Sequence, residues 1–136
     1  LERIDFLPFT NTVSEHLAQY KFVDIALDPF PNGGCTTTAE ALWMGVPVIT
    51  LKGASYVSRM STAVLRGAKM NEWIANDLIN YKKLALEHAS DIADLRRNRI
   101  FWRNQLVDSP LGDTFDLCKT LEETFLEMHQ HYLDNS

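Results

Sequence analysis

The chain has 136 residues, 46% of them hydrophobic and 23% charged, with a formal net charge of −5. This is the composition of one globular domain with a real core, over 1–136, and it excludes a disordered segment. No basic block is dense enough to grip nucleic acid, no apolar run reaches the ~20 residues that cross a bilayer, and no signal peptide is visible. Nucleic acid and membrane are therefore not expected partners, and a cytoplasmic location is expected. Cys35 and Cys118 lie far apart, in neither a C-x-x-C nor a Cys/His metal pattern, which suits a reducing compartment.

The chain starts at Leu1, without Met, and enters strand-like sequence almost at once, so it reads as a piece of something longer. "RIDFLPF" (3–9) is a short apolar run ended by Pro8, a buried-strand signal. "NTVSEHLAQYKFV" (11–23) spaces Val13, Leu17 and Tyr20 for a helix, and "DIALDPF" (24–30) is a second apolar run, halted by Asp28 and Pro29. "TTAEALWM" makes about two helical turns, with Gly45 placed as a left-handed C-cap and Pro47 preventing continuation. "PVITL" (47–51) is a β-branched strand. Strand–helix–strand–helix–strand in so short a span predicts parallel strands joined by crossovers, buried under helices.

Beyond Val57 the pattern is helical. "SRMSTAVLRGA" ends at Gly67, "NEWIAN" fits either a short edge strand or a turn, and "DLINYKKLALEHAS" is an amphipathic helix. "DIADLRRNRIFWRNQLV" is expected as one helix capped by Asp91, with Arg96, Arg97, Arg99 and Arg103 on a solvated face. After Pro110 and Gly112, the last helix carries Leu117, Leu121, Phe125, Met128 and Tyr132 as one apolar stripe; part of it is expected to be exposed, and self-association is expected through this stripe or through the open edge of the first strand. The predicted fold class is α/β: a partial Rossmann-like parallel sheet of three to four strands with helices, followed by an all-helical C-terminal tail. A doubly wound sheet usually has five or six strands, so about half of it is expected upstream of Leu1.

The turn "NGGCTTTAE" (32–40) holds the functional question. Thr37-Thr38-Ala39-Glu40 matches the S/T-x-x-E capping box, which makes capping one complete account. The other account is a phosphate seat. Ligands of open parallel sheets bind beyond the C-terminal strand ends, and the N–H groups of a helix N-terminus favour an anion. Gly33 and Gly34 let the backbone come close, and Thr36, Thr37 and Thr38 add three hydroxyls where a cap needs one. Neither G-x-x-x-x-G-K-[ST] nor G-x-G-x-x-G is present, so the seat would hold phosphate without a lysine.

"DIALDPFPNGGCTTTAEALWMGVPVITLKGASYVSRMSTAVL" resembles the C-terminal catalytic lobe of the O-GlcNAc transferase and SPINDLY family of glycosyltransferases. A helix His eight residues before the Asp of D-[IV]-x-L-D is matched by His16 and Asp24, and "LRRNRIFWRNQLVDSPLGDTF" is similar to the family's L-R…SPL segment. The resemblance implies a GT-B fold and transfer of a sugar from a nucleotide diphosphate, expected to be a UDP-sugar, to Ser or Thr of an acceptor protein. It implies no bound metal and no other cofactor. It places Thr36, Thr37 and Thr38, with Gly34, at the diphosphate, Glu40 at the ribose hydroxyls, His16 beside the nucleoside, and Cys35 where some members have His. Where some members carry Lys three residues before the helix His, this chain has Val13. The family's catalytic lysine region, N-terminal lobe and tetratricopeptide repeats lie upstream of the matched segment, so no catalytic residue is assigned here and no turnover is expected from this piece alone. The alternative is a non-catalytic nucleotide-binding or assembly module of the same fold. Trp43 is expected in the core, Arg59 in a structural or surface role with a hold on phosphate as the alternative, and His129 and His131 on different helix faces.

Overall fold

In the computed structural model, residues 2–135 are described. Three short parallel strands, β1 (Ala26–Leu27), β2 (Val48–Leu51) and β3 (Ile74–Ala75), form a sheet in the order β1-β2-β3. The register pairs Ala26 with Val48, Leu27 with Ile49, Thr50 with Ile74 and Leu51 with Ala75. β2 is the central strand, and its "VIT" is fully buried, as consecutive apolar positions in a helix-covered parallel sheet require.

The helices are α1 (Val13–Ala18), α2 (Thr36–Trp43), α3 (Met60–Gly67), α4 (Leu78–Ala89), α5 (Ile92–Arg97), α6 (Arg99–Val107) and α7 (Thr114–Asp134). Four of them start on side-chain caps. Thr12 and Glu15 form a reciprocal capping box on α1, while Asp77, Asp91 and Asp113 each accept the N–H three residues ahead on α4, α5 and α7. α2 ends at Gly45, whose φ of +72° is the left-handed conformation that glycine adopts without a Cβ penalty. Leu42, Val46, Ile49, Leu65, Met70 and Trp73 are completely buried and make one core between the sheet and its helices.

Three expectations about these elements are corrected, and one open reading is resolved. Residues 3–9 form no strand: Phe6 and Phe9 are more than 90% exposed, and the segment is held by the Gln19 amide donating to the Pro8 carbonyl. An apolar run becomes a strand only where a neighbouring edge takes up its backbone hydrogen bonds, which periodicity cannot report. The third strand is supplied instead by "NEWIAN", which is both a tight turn (Asn71–Trp73) and an edge strand. The helix expected from Asp91 onward breaks at Asn98, whose side chain turns back to donate to Asp94. Trp43 is 44% exposed, with the Arg103 guanidinium 3.9 Å above its ring, and the buried tryptophan is Trp73.

The arginines are not merely solvated. Arg96 grips Asp24 with two hydrogen bonds of 2.8 and 2.7 Å, Arg99 donates to the Tyr20 and Val23 carbonyls, and Arg103 donates to the Trp43 carbonyl. They fasten α5 and α6 to the segment entering β1 and to the end of α2.

Candidate functional site

The site grows from the end of β1. Continuing the β1–β2 register puts Asp28 opposite Thr50, and the Asp28 N–H donates to the Ile49 carbonyl at 2.9 Å. Asp28 is 6% exposed, and a carboxylate so buried needs its lone pairs occupied. One oxygen accepts the Thr50 hydroxyl at 2.7 Å, and the other accepts the Gly34 N–H at 2.8 Å. The Gly34 carbonyl accepts the Ser61 hydroxyl at 2.7 Å. Since Ser61 has one proton and spends it there, the Thr38 hydroxyl is the donor across the 3.0 Å contact between the two side chains. A Cβ on Gly33 would fall 2.7 Å from the Asp28 carboxylate and 3.0 Å from the Ser61 hydroxyl, so this turn tolerates no side chain there. Tyr81 donates to the Asp28 carbonyl at 3.0 Å, and burial, with the Asp28 charge second, raises its hydroxyl pKa.

α2 opens directly on this turn. Its N-cap is Cys35, which makes no capping hydrogen bond, and the first bond of the helix runs from the Ala39 N–H to the Cys35 carbonyl at 3.0 Å. The N–H groups of Thr36, Thr37 and Thr38 therefore precede the ladder. The capping box proposed for Thr37 and Glu40 does not form, because both residues lie inside the helix. Glu40 instead faces His16, with 3.2 Å between His16 Nε2 and the carboxylate. Thr36 and Thr37 are exposed, as is Cys35, whereas Thr38 is 2% exposed and faces inward on Ser61. The Tyr20 hydroxyl donates to the Thr37 carbonyl at 3.3 Å, tying the first turn of α2 to the segment after α1; burial, then the Glu40 charge, raises the Tyr20 pKa.

Beside this helix end lies a cleft of about 390 Å³, lined by Pro8, Phe9, Thr12, Val13, His16 and Glu40 among others. A larger one of about 580 Å³ lies elsewhere, between Lys69 and the turn after α6. The structure thus gathers His16, Gly34, Cys35, Thr36, Thr37 and Glu40 at one end of the sheet, with Thr38 beneath them. Among the described residues, no group of three or more His, Cys, Asp or Glu side chains could hold a metal ion. Arg59 donates to the Ala54 carbonyl and so braces the loop after β2.

Sequence reasoning took Asp28 as a strand terminator and passed over Thr50 and Ser61. An acid at the end of an apolar run, one position before a proline, is the signal the sequence carries for Asp28. Ser61, 27 residues from Gly34, has none.

The model of glycosyl transferase family 41 matches residues 2–121. The chain belongs to that family. It is 33% identical over 133 residues to a protein of Petunia hybrida named a probable UDP-N-acetylglucosamine–peptide N-acetylglucosaminyltransferase SPINDLY, covering 98% of this chain and 14% of that one. A UDP-N-acetylglucosamine–peptide N-acetylglucosaminyltransferase of Caenorhabditis elegans is 27% identical over 126 residues, covering 91% of this chain and 11% of that one. Among solved structures, an O-GlcNAc transferase mutant of Thermobaculum terrenum superposes with a TM-score of 0.77 at 36% identity, covering 87% of this chain and 23% of that one. The family 41 chain described here therefore spans about one seventh of the Petunia relative's length. The expected α/β class, part of a GT-B lobe with a three-stranded parallel sheet and a helical tail, agrees with this neighbour. No helix among the described residues is long and apolar enough to cross a membrane.

Proposed function

We propose that this chain supplies the donor-diphosphate half of the active site of a protein O-glycosyltransferase, which transfers a sugar from a UDP-sugar to Ser or Thr of an acceptor protein. The observation that carries this reading is the uncapped N-terminus of α2, with Thr36 and Thr37 exposed on it, beside the His16–Glu40 cleft. Amides of Thr36 and Thr37 and their hydroxyls take the diphosphate, and the positive end of the helix stabilises the charge that grows on it as the sugar leaves. Glu40 takes ribose hydroxyls and His16 lies against the base, while Cys35 lines the seat. Family membership and the donors in the relatives' names support the choice of UDP. A cytoplasmic location suits the two free cysteines.

The test is an NMR titration of the isotopically labelled chain with UDP and then GDP, following the amides of residues 33–40. Saturable shifts there with UDP, and weaker ones with GDP, are expected. A folded chain whose Gly–Thr amides ignore both nucleotides would return the threonines to a purely structural role and leave the assembly-module alternative standing.

A further inference from the structure

The backbone of Gly34 is held on both sides of its Cα by side chains from two other elements. Its N–H goes to Asp28 at the end of β1, and its carbonyl receives Ser61 from α3. Thr50 on β2 fixes the second Asp28 oxygen, and Thr38 fixes Ser61 from within α2. Asp28, Thr50, Ser61 and Thr38 are all at least 94% buried or, for Ser61, completely so. We propose that Asp28 and Ser61, backed by Thr50 and Thr38, are positioning residues for the donor diphosphate: they lock Gly34 so that the next amides, at the start of α2, are already aimed at the ligand. This rests on the diphosphate reading above.

The reason for such a clamp is physical. A glycine pair is the most mobile backbone available, and its disorder would have to be lost on every binding event. Amide donors stabilise a developing anion most when they need no reorganisation as charge builds. Two interior hydrogen bonds, one to each peptide group flanking the Gly34 Cα, remove that mobility beforehand. Asp28 also consumes the Gly34 N–H, so that amide is not itself a phosphate donor, and the donors begin beyond it. Each oxygen of the buried carboxylate is occupied by a donor of the protein, so the clamp is satisfied before any ligand arrives.

The test compares the wild-type chain with Ser61→Ala, Asp28→Ala and Asp28→Asn, by NMR titration with UDP and with uridine, alongside hydrogen exchange of the Gly34 amide without ligand. Loss of one of the two hydrogen bonds on Gly34 predicts UDP binding weaker by about fivefold in Ser61→Ala and Asp28→Ala, with uridine binding unchanged and Gly34 exchange faster by a similar factor. Asp28→Asn keeps an oxygen for the Gly34 N–H and is expected to retain most of the UDP affinity. If Asp28→Ala does not fold, Ser61→Ala, which deletes a single hydroxyl, decides. Wild-type UDP binding that survives in Ser61→Ala despite accelerated Gly34 exchange overturns the positioning role alone. Equal losses for UDP and uridine also overturn it, since they mark a general structural defect. A wild-type chain that binds uridine but gains nothing from the diphosphate overturns the underlying reading and this inference with it.

Discussion

Gly45 shows how far a single residue can be read in advance. Its place between an amphipathic turn and Pro47 predicts a left-handed C-cap, and its φ is +72°. The sequence does not say that an added Cβ would also meet the backbone of Arg99, with the carbonyl carbon 3.0 Å away. Gly45→Ala is therefore expected to cost at least the roughly 1–3 kcal/mol of a non-glycine residue in that region, measured by urea unfolding. His88 is the opposite case, a residue with no signal in the sequence. Its ring lies 3.7 Å from that of Trp73, nearly parallel, and burial lowers its pKa against the pull of Glu72 and Glu87. Folding thus favours neutral His88, and the unfolded chain takes up the proton first as pH falls. Stability should decline from neutrality through the unfolded value of 6.5 and on to the lower folded one. Chemical denaturation at several pH values should show that part of the slope vanish in His88→Gln.

Among the elements, helix existence was legible and helix function was not. Periodicity locates α4 and α7, and the cap at Asp91 locates the start of α5, because capping needs only neighbours three residues apart. The same logic offered a cap at the Thr37–Glu40 pair that does not form, since whether a threonine caps or lies inside depends on where the preceding turn releases the chain. The arginine run misled for a related reason: an exposed helix face and a docking face have the same composition. Asp24 is held below the usual carboxylate range, first by its hydrogen bond from Arg96, against burial, and then by the Arg96 and Arg99 charges. A lowered folded pKa stabilises the chain above the unfolded value of 3.8 and loses that effect as pH falls through the folded value. Asp24→Asn should accordingly lower stability at neutral pH by a modest amount, since Arg96 is largely exposed, and the gap to wild type should close in acid.

Across the whole molecule, the last helix stands apart. None of its residues is buried, and Leu117, Leu121, Phe125 and Met128 form an exposed apolar stripe along α7. A patch of this kind is a contact surface waiting for a partner, and at high concentration a second copy is the partner at hand. Sedimentation should show concentration-dependent association that Leu121→Glu with Phe125→Glu reduces, without loss of folding stability because neither side chain is buried. A monodisperse monomer across the concentration range would rule this out.

By itself, the sequence determined the α/β class, the cap at Asp91, the turn at Gly45 and the family resemblance at the Gly–Thr turn. All of these are carried by residues within a few positions of one another, where backbone geometry links spacing to structure directly. Only the tertiary structure decided that residues 3–9 lie outside the sheet, that Trp73 rather than Trp43 fills the core, and that Thr38 faces inward. It alone joined Asp28 to Thr50 and Gly34 to Ser61, across 22 and 27 residues. Those pairings follow from strand register and helix packing, which depend on the free energy of the whole core and leave no local mark in the chain.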